Sequence, residues 1–171
     1  MAFKFVATAV LAALPFTAMA EQVFTPERGT SLRSELMNTA RPYAESVFGA
    51  PVEFVVHDLL VQGDHAYAWL TAQRPGGGQI DLTRAPAAKD IMFGVNDHTD
   101  INVFYERSGA GWQVYDWAAF ATDVWWQRKD ICAGWGDLDP WGRGRDCGSN
   151  AIGGRGSRTA SRPDPSATTQ F

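Results

Sequence analysis

The sequence predicts an α+β protein in which one bent N-terminal helix packs on an antiparallel sheet of four to five strands. Three observations carry this. Leu32, Leu36, Ala40, Tyr43, Ala44 and Val47 recur every three or four positions, the period of one helix face. After Pro51, β-branched and aromatic runs follow one another, separated by Gly-containing turn signals. Strand-like and helix-like segments do not alternate, which argues against a parallel sheet. No internal repeat is visible.

The helix is expected to start at Ser31, whose hydroxyl can cap the first turn, and to end at Gly49-Ala50-Pro51. Pro42 falls inside it and removes one backbone hydrogen bond, so a bend or a break is expected there. The strands begin with "VEFVVHDLLVQ" and "HAYAWLTAQ". Between them Gly63-Asp64 suits a two-residue turn of type II′, with Gly at the first central position. "RPGGG" reads as a hairpin loop: it has no phosphate-loop lysine and precedes a strand rather than a helix. "QIDLT" reads as a further short strand. A short apolar patch, Ile91 to Val95, precedes "INVFYER", and "SGAG" turns the chain into "WQVYDWA".

The two ends differ from this middle. Residues 1–20, "MAFKFVATAVLAALPFTAMA", combine Lys4, a short apolar run from Phe5 to Leu14, and Ala18-Met19-Ala20. That is the pattern of a secretory signal peptide with a small-residue cleavage site. A membrane span needs about 20 apolar residues, and Thr8, Pro15 and Thr17 interrupt this run. The mature chain is expected to start at Glu21 and to be periplasmic or secreted, not membrane-embedded. No cysteine follows the cleavage point to carry a lipid. Residues 21–142 form the single expected α+β domain. From Arg143 the text is rich in Gly, Arg, Ser, Thr and Pro, and residues 143–171 are expected to be a disordered tail, since they offer almost nothing to bury.

Charge and cysteine usage narrow the classes. The chain carries a formal net charge of −4. Residues 21–142 hold 9 basic and 17 acidic side chains, net −8, whereas the tail is net +3. An acidic body argues against nucleic acid as the main partner, and the Arg-Gly tail reads as a solvated segment rather than an RNA-binding one. Cys132 and Cys147 are the only cysteines. In an oxidising compartment such a pair reads as a disulfide. Its loop of 15 positions would be worth about 3 kcal/mol by chain entropy.

The segments "TARP", "VEFVV", "LLVQGDHAYA", "AQRPGGGQID", "GWQVYDWA" and "ATDVWW" resemble a group of small secreted bacterial proteins over about residues 30–126. In architecture the helix and meander are similar to cystatin-like and NTF2-like folds. This resemblance implies a fold and supplies no functional residues.

Each histidine sits beside an aspartate: His57–Asp58, Asp64–His65 and Asp97–His98. With Gly63 and Asp64 at the hairpin tip, Gln62 faces His65, Leu60 faces Tyr67 and His57 faces Leu70. His57 then shares a face with Leu59, Val61, Ala66, Ala68 and Leu70, and His65 points the other way. His57 and His65 lie roughly 16 Å apart along the strand, too far to share one metal ion. "VNDHTD" lacks the spacing and closing glutamate of a calcium loop. No metal site and no cofactor are expected.

Two functional readings follow. The first is a non-catalytic binding module for a protein, peptide or glycan, with Trp125, Trp126, Trp135 and Trp141 as its surface. Six tryptophans fall between residues 112 and 141, and exposed tryptophans supply large rigid contact area. The alternative for these rings is that they cover the end of the sheet. Trp112 and Trp117 have opposite strand parity, so only one is expected in the core. The second reading is a small NTF2-like enzyme with a pocket between helix and sheet, using Asp116 or His57 as a general acid or base. Asp116 reads otherwise as a solvated residue on an edge strand. No G-x-S-x-G or comparable nucleophile motif is present.

Overall fold

The computed structural model describes residues 22–91, 98–121 and 125–138. The expected leader, the tail, Trp141, Cys147, Asp97 and most of the patch Ile91 to Val95 lie outside the described residues. One helix, α1 (Ser31–Phe48), precedes a four-stranded antiparallel sheet: β1 (Glu53–Gln62), β2 (His65–Gln73), β3 (Asp100–Ser108) and β4 (Gly111–Ala119). The strands pair in sequence order, β1-β2-β3-β4. A seven-residue helix, α2 (Lys129–Trp135), follows, flanked by single 3₁₀ turns at Trp125–Gln127 and Gly136–Leu138.

Helix α1 is capped one residue earlier than the sequence pattern indicated. Thr30 is the cap, its hydroxyl accepting from the Arg33 amide, so Ser31 is the first helical residue. The helix runs through Pro42 without a break. Pro42 lies on the exposed side, where water can satisfy the carbonyl left without its amide donor. Gly49, at φ 78°, ends the helix in a conformation that only glycine adopts without strain.

Arg74, the first residue after β2, fastens this end. Its Nη2 donates to the Phe48 carbonyl at 2.9 Å, and its Nη1 donates to the Pro51 carbonyl at 2.9 Å and to that of Gly49. The last carbonyls of a helix have no partner within the helix, and a cation there also meets the negative end of the helix dipole. The planar fork of guanidinium fits several carbonyls at once.

Near its turn the β1–β2 hairpin has the expected register, with Gln62 opposite His65 and Leu60 opposite Tyr67, but Leu70, expected opposite His57, pairs with Val56, because a bulge shifts the pairing by one residue there. Its turn has positive φ at Gly63 and not at Asp64, as a type II′ turn requires. "QIDLT" is not a strand. Asp81 accepts from the Thr83 amide at 3.0 Å and from the Thr83 hydroxyl at 2.6 Å, and this local bonding closes a 3₁₀ turn over Leu82–Arg84. Ile80 is buried and Leu82 packs on the core, so the segment contributes to the core instead of adding a strand to the sheet.

Two bulges set which side chains face which way. In β1 the pairing shifts between Val56 and Asp58. In β4 it shifts so that Phe104 faces Asp116 while Tyr105 faces Val114. His57 and Tyr115 are the extra residues, and each bulge reverses the parity of its strand. Phe54 and Val56 therefore pack on the same side as Leu59 and Val61, and Trp112 and Val114 on the same side as Trp117 and Ala119. Trp112 and Trp117, expected on opposite faces, thus both pack in the core beneath α1. Tyr43 of α1 meets Trp117 edge-on at 5.6 Å.

The sheet is apolar on its other face as well. Tyr67, Phe104, Ile131, Trp135 and Leu138 form a second buried cluster, bordered by Val23, Leu60, Trp69, Tyr115, Trp125 and Trp126. Beyond Phe120 the chain resumes on this second face. Phe120 itself has φ 58°, an unusual conformation for a side chain with a Cβ. Its ring is buried against Phe48 at 5.4 Å, which holds the residue in place.

Replacement of Arg74 by Ala removes all three carbonyl contacts at the end of α1. We expect a loss of about 2 kcal/mol, since bonds to a charged donor are worth about 1.5–3 kcal/mol each in favourable cases and exposure discounts them. Arg74→Lys, with no fork, should recover less than half of it. Chemical denaturation of the two variants checks this, and an Arg74→Ala midpoint equal to wild type refutes it.

Candidate functional site

The second face divides into two halves. Near the β1–β2 turn it is covered. Trp135 is 4% exposed. Its indole Nε1 donates to the Tyr105 carbonyl at 2.9 Å, beside the β4 bulge. Its ring meets Tyr115 at 4.4 Å, His65 at 4.7 Å and Phe104 at 5.9 Å. Trp125 meets Phe104 edge-on at 5.5 Å. Of the four tryptophans singled out from the sequence, Trp135 therefore covers the sheet, Trp125 and Trp126 are half-buried at the border of that cover, and Trp141 lies outside the described residues.

Asp116 sits at the edge of this covered half. Its Oδ1 accepts from the Trp117 amide at 2.8 Å and its Oδ2 pairs with Arg128 Nη1 at 2.5 Å. Arg128, which precedes α2, also binds Asp130 through Nη2 at 2.6 Å. The hydrogen bond from Arg128 holds the Asp130 carboxyl below the usual carboxylate range, and the paired carboxylate raises the Arg128 guanidinium further. Burial, then the Asp130 charge, pushes the Tyr115 phenol up, and that phenol donates to Asp130 at 3.3 Å. These groups are partly solvated, so each ion pair is worth at most about 1 kcal/mol. Their arrangement docks the start of α2 on β4.

Away from α2 the second face is polar. His57, expected to share a face with Leu59 and Val61, lies on the opposite one. It is the extra residue of the β1 bulge, so the alternation expected of a regular strand fails at that point. Its ring stacks on Trp69 at 4.7 Å and its Nε2 lies 2.7 Å from the Thr71 hydroxyl. Thr71 in turn donates to Asp100 Oδ1 at 2.5 Å. His98 closes the row: its Nδ1 accepts from the Asp100 amide at 3.3 Å. The Nδ1 to Asp100 Oδ2 distance is 3.8 Å. The shorter contact assigns that nitrogen as an acceptor, and an ion pair would require it to be protonated instead. One step closer to α2, Tyr67 donates to the buried Asn102 at 2.6 Å.

His57, Thr71, Asp100 and His98 thus come from β1, β2, β3 and the residue pair before β3. The sequence reading named the two histidines and did not join them. Thr71 and Asp100 carry no motif, and their only signal is that they pair across β2 and β3, a register that requires the intervening connection to be known. His65 lies under Trp135 at the far end of the same face, four or five residues from His57's level on β2, or about 15 Å. Among the described residues no group of three His, Cys, Asp or Glu side chains could hold a metal ion.

The space between α1 and the sheet is lined differently. Leu36, Ala40, Ala44, Phe48, Leu59, Ala68, Leu70, Ile101 and Val103 there are at most 1% exposed. Neither His57 nor Asp116 reaches this interior, since both lie on the face away from α1. Cys132 is half-buried on α2, and Cys147 lies outside the described residues. No described helix is long and apolar enough to cross a membrane.

Fold and site together define a one-helix, four-stranded antiparallel meander whose second face is half covered by a C-terminal helix and half polar. Comparison with protein-family models, with curated proteins and with solved structures finds no match.

Trp135 packs like a core residue although it follows the last strand. Trp135→Ala should cost about 3–5 kcal/mol, the range for truncating a buried aromatic, a large part of the stability of an ordinary domain. Thermal unfolding measures it. A change below about 1 kcal/mol would remove the ring from the core and return it to the candidate binding surface.

Proposed function

We propose that the chain is a non-catalytic binding module, secreted or periplasmic, for a protein, peptide or glycan partner. The observation that carries this reading is the divided second face. Val55, 41% exposed, pairs with Thr71, and His57 lies against the half-buried Trp69, on the side of the sheet that α2 leaves open. Trp125 and Trp126 border the same face. Large rings that are partly packed and partly accessible make rigid anchors with little ordering cost. The acidic body disfavours nucleic acid as partner. No cofactor is invoked.

Two further features belong to this reading. The leader is removed before Glu21, and Cys132 pairs with Cys147, which ties the chain beyond α2 back to that helix. Intact mass of the exported protein tests both. We expect the mass of a chain starting at Glu21, lower by two hydrogens than its dithiol form. A mass including Met1, or two thiols free to alkylation, overturns the corresponding part.

The binding surface has its own test. Val55→Arg should leave thermal unfolding unchanged, because the side chain is exposed. It should weaken capture of a partner isolated from the exported fraction by about thirtyfold, the loss that accompanies removal of an anchor worth 2 kcal/mol. Equal capture by wild type and Val55→Arg at equal stability would place the partner elsewhere.

A second reading is favoured by one specific observation. His57 is linked to a carboxylate through a hydroxyl, an arrangement that orients a histidine for general acid–base work. Asp116 is less suited to that role, because Arg128 already pairs with it.

A further inference from the structure

We propose that Thr71 and Asp100 are positioning residues that hold His57 in a single tautomer, with Nε2 protonated and Nδ1 presented as a hydrogen-bond acceptor. This deepens the binding reading above by stating what the open face offers a ligand. The position of one proton decides the tautomer. The Thr71 hydroxyl has a single hydrogen and several acceptor positions. At 2.5 Å from Asp100 Oδ1, that hydrogen must lie between the two oxygens, because an ionised carboxylate can only accept and bare lone pairs at that distance repel. The Thr71 oxygen is then an acceptor toward His57 Nε2 at 2.7 Å. His57 must donate from Nε2, which leaves the lone pair of the neutral ring on Nδ1.

Two contacts and the β1 bulge fix the ring. The stack on Trp69 at 4.7 Å sets its plane, the Thr71 contact sets its rotation, and the β1 bulge sets its face. His57 is exposed, whereas Thr71 and Asp100 are half-buried beneath it. Orientation of one imidazole nitrogen by a partner on the other is the device by which proteins select what a histidine can do. Here it supplies an acceptor backed by negative charge, which suits a hydroxyl or amide N–H and disfavours an anion.

The test needs no partner, so it fails independently of the binding reading. Long-range proton–nitrogen correlation spectra of the full exported chain report the protonated nitrogen of each neutral histidine. In wild type we expect His57 to appear as the Nε2-protonated tautomer alone. Thr71→Val, which keeps the shape and removes the hydroxyl, should give a mixture of both tautomers. Thr71→Ser should restore the wild-type signature. A mixture or an Nδ1-protonated ring in wild type overturns the proposal, and that measurement needs no variant to fold. An unchanged signature in Thr71→Val overturns it as well. A Thr71→Ser spectrum like that of Thr71→Val would assign the ordering to the methyl group and not to the hydroxyl, which also overturns it.

Discussion

A sheet that is apolar on both faces must be covered on both, and the rest of this structure follows from that constraint. Strands β2 and β3 carry Leu70, Ile101, Val103 and Tyr105 toward α1, and Tyr67 and Phe104 away from it. Burying either set alone would leave aromatic rings in water, at roughly 25 cal/mol for each Å² of apolar area. One helix cannot cover two faces. The chain therefore returns after Phe120 and lays Ile131, Trp135 and Leu138 on the second face. That return uses a short helix, so it covers only half, and the uncovered half is where polar side chains gather.

The two bulges reconcile this double burial with edge strands. β1 and β4 are the edges of the sheet, and an unbroken edge invites pairing with other chains. Each carries a bulge containing or adjoining an aspartate, Asp58 or Asp116. A bulge twists the strand and breaks the run of exposed backbone groups. It also reverses parity, so that Phe54 and Trp117 reach the α1 side from positions that a regular strand would turn outward. At β4 the same irregularity places Tyr115 against Trp135, and Asp116 within reach of Arg128.

The polar half of the second face shows how burial and hydrogen bonding limit each other. Asn102 is 7% exposed, and a buried amide without a partner costs about 1–3 kcal/mol. Tyr67 supplies its partner from the next row. Asp100 and His98 are accessible enough to remain solvated, and Thr71 joins them to His57. By contrast, the Tyr105 hydroxyl is buried on the α1 side with no hydrogen-bond partner among the described residues, and burial pushes its phenol up. The core beneath α1 tolerates that cost because the Tyr105 ring is fully buried in it, and its apolar burial offsets the unpaired hydroxyl. The result is a buried apolar interior on one side of the sheet and a hydrogen-bonding surface on the other.

The sequence by itself determined the α+β class, the extent of α1, the first hairpin with its register near the turn, and the last two strands. These are local properties: helix period, turn chemistry at Gly63 and β-branched runs act over a few residues. It also carried a sign of the second cover, since "HAYAWL" and "INVFYE" place large apolar groups on both parities. Only the tertiary structure decided the faces of His57 and Trp117, because one inserted residue in a pairing leaves no mark in the strand that contains it. The same holds for "QIDLT", where Asp81 bonds to Thr83 and a strand-like pattern closes into a turn. The row from His57 to His98 draws on β1, β2, β3 and the residues just before β3, and β3 follows β2 only after a long connection. Its members meet through the register between β2 and β3, which depends on packing across both faces and not on any local pattern.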